Sequence, residues 1–417
     1  MDIRELQQRY VKAPQAAALL KLLEDEKAEN VFLQGLMASA APLFFAAVAE
    51  KTARTFLFAL QDADEAGYFY HDLTQVLGTR NVLFFPSSYK RSVRYGQRDS
   101  ANEILRTEVL ARISAREAGS SAPLFIVSHP EALSELVVSK QRLDAQRLSL
   151  RVGGQVDITE VEHTLRGYGF EEVDYVYEPG QFAVRGSILD VYSFSCEYPF
   201  RIDFFGDEIE SVSSFAVADQ RTIEEVGAVT ATACRELLLT DAVRARARAL
   251  TDSIPGAADM LDKIADGIAV EGMESLAPVL AGRMVPLLDL VGDRLVVALE
   301  PERLRRRAED LVATTAEFLA AAWTSAASGG RAPVDLSAAA FAPLGQTRDL
   351  ALSTGRGWWD FTSLKAGPDA LELPLRDPRG YAGRLDEAVA DLGALARGGW
   401  SVVVATDGPG PARRMAS

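Results

Sequence analysis

Through the first 146 residues, short apolar runs alternate with stretches whose apolar positions recur at helical spacing. NVFLQGL (30–36), RTFLFAL (54–60), NVLFF (81–85) and LFIVS (124–128) read as strands. Segments 13–28, 42–52, 62–77 and 101–117 read as helices. This rhythm predicts a doubly wound parallel sheet. From about residue 149 the texture changes. A helix over 158–167 is followed by VDYVY, QFAVRG, ILDVYSF, FRIDFFG and IESVSSFAV. These short alternating runs predict antiparallel strands, with Gly206-Asp207 as a hairpin turn. Beyond 233 the pattern returns to helices, over 241–252, 257–269 and 302–322, with a strand at 293–299. ASGGRAPV (327–334) reads as a flexible connection. At the far end, 386–396 has helical spacing and WSVVVA (400–405) reads as a buried strand. TDGPG follows with no further helix, so the pattern reads as a fragment cut inside a βα unit.

In a strand, residues two apart share a face. In FRIDFF, Ile202 and Phe204 therefore take one face, and Arg201, Asp203 and Phe205 the other. The same parity puts Phe182 and Val184 inward and Arg185 outward. An Arg beside an outward Phe fits a protein-interface anchor. Equally, Phe205 could pack under a loop while the arginines pair with Asp203 or Glu208.

The first strand runs into LQGLMASAAP, where a phosphate-binding loop would sit. Such a loop needs a second Gly, then Lys, then Ser or Thr. Counted from Gly35, those positions hold Ala40, Ala41 and Pro42, so nothing there meets a phosphate or Mg²⁺. Glu300, closing a later strand, lacks the Asp of a metal-binding pair and reads as a cap or surface residue. The pattern predicts a nucleotide fold without its catalytic or metal-binding residues, hence no enzyme. His71, His129 and His163 fall in separate elements and read as structural.

The net charge of -15 disfavours general polyanion binding and points to protein partners. SSYKRSVRYGQRD (87–99) sets Lys90, Arg91, Arg94 and Arg98 among tyrosines, a candidate for weak nucleic-acid contact or an interdomain loop. Two cysteines, no secretory segment and no membrane-length apolar run predict a cytoplasmic chain. Sixteen of 19 Phe and 10 of 11 Tyr precede residue 234, while all four Trp follow it. Such a step marks a domain boundary, or a composite of two related sequences joined near Cys234.

PGQFAVRGSILDVYSF and PFRIDFFGDEIESVSSFAVADQRTIEEV resemble the domain shared by the excision-repair protein UvrB and the transcription-repair coupling factors, Mfd. The missing phosphate loop favours the second, as do EGMESLAPVL (271–280) and LEPERL (299–304). The resemblance implies a UvrB-like α/β fold with a degenerate P-loop sheet split into parts 1a and 1b. Part 1a would cover 1–146 and part 1b 234–368. A small mixed α+β domain would be inserted at 147–233, and another small α/β domain would begin at 369–417. It implies UvrA as partner, with Arg185, Arg201 and Phe205 as the contact residues. RNA polymerase, double-stranded DNA, ATP and Mg are implied only for motor and polymerase-binding parts outside this chain, with no cofactor here. The competing expectation is an active UvrB-like ATPase and damaged-DNA binder.

Overall fold

Strands of a parallel sheet are buried on both faces and need helices on both sides. The structure, a computed structural model, describes the chain apart from residues 1–2, 13, 25–29, 35–39, 50, 89–99, 117–121, 271–272, 293, 312, 314–341, 355–356, 364–370, 373–378, 382, 405–409, 411–412 and 414–417. Among the described residues, seven parallel strands run in the order Leu371–Glu372, Asn30–Gln34, Gly357–Thr362, Arg294–Leu299, Thr55–Ala59, Leu124–Ser128, Val82–Phe85. Four of these precede residue 147 and three follow 293, so the sheet is discontinuous in sequence.

Alternation along the strands divides the core. Phe56, Phe58, Val297 and Trp359 pack with residues of the helices Pro14–Glu24, Ala40–Ala49 and Ala63–Leu77. Leu57, Ala59, Val296, Ala298 and Trp358 pack on the other side with residues of Ser100–Ala115 and Leu344–Ser353. Phe45 lies 4.9 Å, ring to ring, from both Phe58 and Phe361. The second contact joins the helix Ala40–Ala49 to the strand Gly357–Thr362, far apart in sequence. Some helix starts are fixed by a side-chain cap. Asp62 accepts from the amides of Asp64 and Glu65, each at 3.0 Å, and Thr240 accepts from Val243 at 3.3 Å.

The chain leaves this body along Arg147–Arg151 and returns along Ala228–Thr232, which pair antiparallel. Between them lies a six-stranded sheet in the order Thr222–Glu225, Glu208–Phe215, Phe200–Phe205, Ile188–Tyr192, Gln181–Arg185, Glu171–Glu172. It is antiparallel except at its last pair. Gly206 turns the expected hairpin with φ of 63°. The helix Ile158–Gly167 covers one sheet face, packing Val161 and Leu165 with Phe182, Leu189, Ile202 and Phe204.

Two expected strands do not form. In VDYVY, Val173 makes one ladder bond to Phe182, and the chain then turns. The amides of Tyr177 and Glu178 both bond the Gln181 side chain, so they cannot serve a ladder. At 400–404 the chain is not a strand, and Trp400, Val403 and Val404 are exposed. No described strand lies beside it, and a strand without a neighbour leaves its backbone groups unpaired.

Buried ionic groups tie the parts together. Arg106 is 2% exposed, bonds Glu236 at 3.0 Å, Glu135 at 3.1 Å and the Pro86 carbonyl at 3.0 Å, and lies 4.3 Å over the Phe85 ring. Glu135 also accepts from the Ser88 hydroxyl at 2.7 Å. Buried His129 accepts the Ser87 amide at Nε2, which leaves Nδ1–H to bond Glu131 at 2.8 Å. Burial raises the Glu131 pKa, but His129 and Arg307 override this and bring it down to about 2. A depressed carboxylate pKa adds stability that is present above the ordinary value near 4.5 and lost as pH falls towards 2. Glu131→Gln should therefore flatten melting temperature against pH below 4.5 relative to the parent. Superimposable slopes would contradict this.

Candidate functional site

The phosphate-loop expectation lies partly outside the described residues, which omit Gly35. Ala40, Ala41 and Pro42 form the first turn of the helix Ala40–Ala49, with Ala41 2% exposed in the apolar core. Glu300 caps the helical residues 301–311. Its carbonyl accepts from Arg303 and Leu304, its carboxylate accepts the Ser363 amide at 2.7 Å, and its φ is 53°. Lys90, Arg91, Arg94 and Arg98 lie outside the described residues.

The second face of the six-stranded sheet carries the remaining candidates. Strand parity fell as the alternation requires: Ile202 and Phe204 are buried in the core, whereas Phe205 is 80% exposed. A register shift between Asp203 and Phe204 sets Ile209 opposite Phe204, so Ile209 and Val212 both reach that core. Across the strands, Ala183, Asp190, Arg201 and Ser213 form one row. Asp190 has no exposed surface. Arg201 grips it with a fork, Nε to Oδ1 and Nη2 to Oδ2, both at 2.8 Å. Arg185 Nη2 donates to the same Oδ2, and its Nη1 donates to the Asp174 carbonyl at 3.0 Å. The Asp190 bonds hold the Arg201 guanidinium above its ordinary range despite partial burial.

Each guanidinium also rests on a ring. Arg201 lies 4.6 Å over Phe215, and Arg185 lies 5.0 Å over half-exposed Tyr175. The structure thus brings Arg185 and Arg201 together on one carboxylate. Phe205 stands on the same face, four residues along the strand from Arg201. The arginines pair within the chain as the second reading allowed, but with Asp190 rather than Asp203 or Glu208. Asp203 instead accepts the Ser211 hydroxyl at 3.0 Å. The signal for Asp190 was a lone carboxylate in the apolar run ILDVY, on the parity opposite Leu189 and Val191.

This buried acid, its arginines and the exposed ring belong to a domain that matches a known class, the UvrB interaction domain, over residues 148–236. The chain is also similar to whole proteins. It is 42% identical over 290 residues to the transcription-repair-coupling factor of Mycobacterium bovis, covering 64% of this chain and 23% of that protein. It is 28% identical over 239 residues to that of Bacillus subtilis, covering 57% and 20%. It is 37% identical over 97 residues to that of Escherichia coli, covering 23% and 8%. Together these matches support an N-terminal region of the transcription-repair-coupling-factor (Mfd) family. The matched stretch spans less than a quarter of the length of each of these relatives.

Proposed function

We propose that this chain is a UvrA-recruiting scaffold of a transcription-coupled nucleotide-excision-repair factor. Phe205 carries the reading. A large ring held 80% in water, on the same sheet face as two arginines fixed in place, is an anchor looking for a partner. Arg185, Arg201 and Phe205 are the contact residues. The domain at 147–233 is an insertion into a UvrB-like body split between 1–146 and 234–368, and 369–417 starts a further small domain. The pairing of Arg147–Arg151 with Ala228–Thr232 supports that division. RNA polymerase, DNA, ATP and Mg belong to parts of the whole protein outside this chain. Capture of purified UvrA by this chain tests the reading, and failure to capture it at micromolar concentration would sink it.

The body itself should not bind or hydrolyse ATP. With Ala41 and Pro42 in place of a cation and a hydroxyl, backbone amides alone would have to offset the phosphate charge. Calorimetry should give no ATP heat at micromolar concentration. Saturable binding lost on substitution of Gly35 would favour the UvrB-like ATPase instead.

A further inference from the structure

Phe205 is a stiff ring that needs little support, but arginines on an open strand face do. A guanidinium on a flexible stem samples many rotamers, and ordering it at the moment of binding costs affinity. Here both arginines are ordered beforehand by one carboxylate. Asp190 sits in the middle of Ile188–Tyr192, between Leu189 and Val191, whose side chains enter the core on the opposite face. Its Oδ1 is taken by Arg201, and its Oδ2 by Arg201 and Arg185 together.

A fully buried charge is a poor way to gain stability. Apolar residues of similar volume are often as good or better, whereas an unpaired buried charge is costly. The trio has a clearer use as a jig. Phe215 backs the Arg201 plane, and Tyr175 faces the Arg185 plane. Through its bond to the Asp174 carbonyl, Arg185 also fixes the turn that presents Tyr175. Both guanidiniums keep only part of their surface in water, 22% for the Arg201 side chain and 32% for Arg185. Their orientation is therefore set by protein acceptors: Asp190 for both, the Asp174 carbonyl for Arg185, and the Gln220 side chain, which accepts from Arg201 Nη2 at 3.4 Å.

Resting on the UvrA-docking reading, we infer that Asp190 is the positioning residue of this face. It touches no partner itself. It holds Arg185 and Arg201, and through Arg185 the Tyr175 turn, in the arrangement the partner meets. UvrA then encounters guanidiniums already engaged by an internal carboxylate. It meets the donors these bonds leave over, not the Nε–Nη2 edge of Arg201, which Asp190 occupies.

The test measures the dissociation constant and dissociation rate of UvrA for the parent, Asp190→Asn and Phe205→Ala. Circular dichroism fixes a temperature at which all three are folded. Asp190→Asn keeps the size and one acceptor but removes the charge between two cations. Binding should weaken about tenfold, through faster dissociation. A merely structural role would lower the melting temperature and leave the dissociation rate of the folded chain unchanged. Parent-like or tighter binding by folded Asp190→Asn overturns the inference. If Phe205→Ala also binds like the parent, the docking reading itself has failed. If Phe205→Ala loses UvrA while Asp190→Asn keeps it, only the role of Asp190 falls.

A second measurement needs no variant, and so survives if Asp190→Asn does not fold. The Arg201 Nε–H of the free parent, bonded to a buried oxygen, should exchange its hydrogen far more slowly than a free arginine. Exchange at the free rate would mean that Asp190 does not hold it.

Discussion

Phe204→Ala should cost about 3–5 kcal/mol of stability, while Phe205→Ala, one residue along, should melt like the parent. Phe204 is 5% exposed and packs with Phe182, Leu189 and Ile202, so truncation leaves a cavity in a small core. Phe205 is 80% exposed and has little folded-state packing to lose. Its loss should appear in binding instead, as about 2 kcal/mol or roughly 30-fold in UvrA affinity. Urea unfolding and a UvrA titration on the two variants separate the effects. A benign Phe204→Ala with an unfolded Phe205→Ala would reverse the strand parity, and the docking face with it. Arg201→Ala is a less clean probe than Phe205→Ala. It removes the fork that neutralises buried Asp190, so it should weaken folding as well as binding.

The other large effect is expected far from that face. Arg106→Ala should destabilise the chain by about 3–5 kcal/mol, the usual cost of stranding a buried charge. Arg106 is 2% exposed, and its removal leaves the side chains of Glu135 and Glu236, 4% and 9% exposed, without their cation. The Ser87 and Ser88 hydroxyls still serve Glu135, so Glu236 should suffer most. Adding Glu135→Gln and Glu236→Gln to an Arg106→Met background should recover most of the loss, because no net charge then remains buried at the junction. If Arg106→Ala melts within 1 °C or so of the parent, roughly the spread of neutral surface changes, the junction is solvated and the buried network is not holding the parts together.

Much of this was written locally in the sequence. The β–α rhythm of the first 146 residues rests on apolar runs and spacing, and the strands and helices fall within a few residues of those runs. The inward and outward sides of Phe200–Phe205 follow from a period of two. Other features depend on distant partners. Gly357–Thr362 sits between Asn30–Gln34 and Arg294–Leu299 in the large sheet, yet GWWDFT shows no distinctive alternation, because both of its faces are covered. WSVVVA has strand composition and no neighbour, and composition cannot supply one. Arg106 reads as an ordinary helix cation, since Glu236 lies 130 positions away. Asp190 is legible as an oddity in an apolar strand, but its pairing with Arg201 depends on the cross-strand register.

The strands Arg147–Arg151 and Ala228–Thr232 bring Arg147 and Thr232 opposite each other, about 5 Å apart as ladder partners. A segment whose two ends are neighbours can be lifted out or set into another protein with little disturbance to its host, because the gap is short enough for a few residues to bridge. In engineering terms the stretch 147–232 is a cassette. Placed in an exposed loop of an unrelated carrier, it should keep its own sheet and present Phe205 there. The proposed docking face would then become transferable without the body that bears it here.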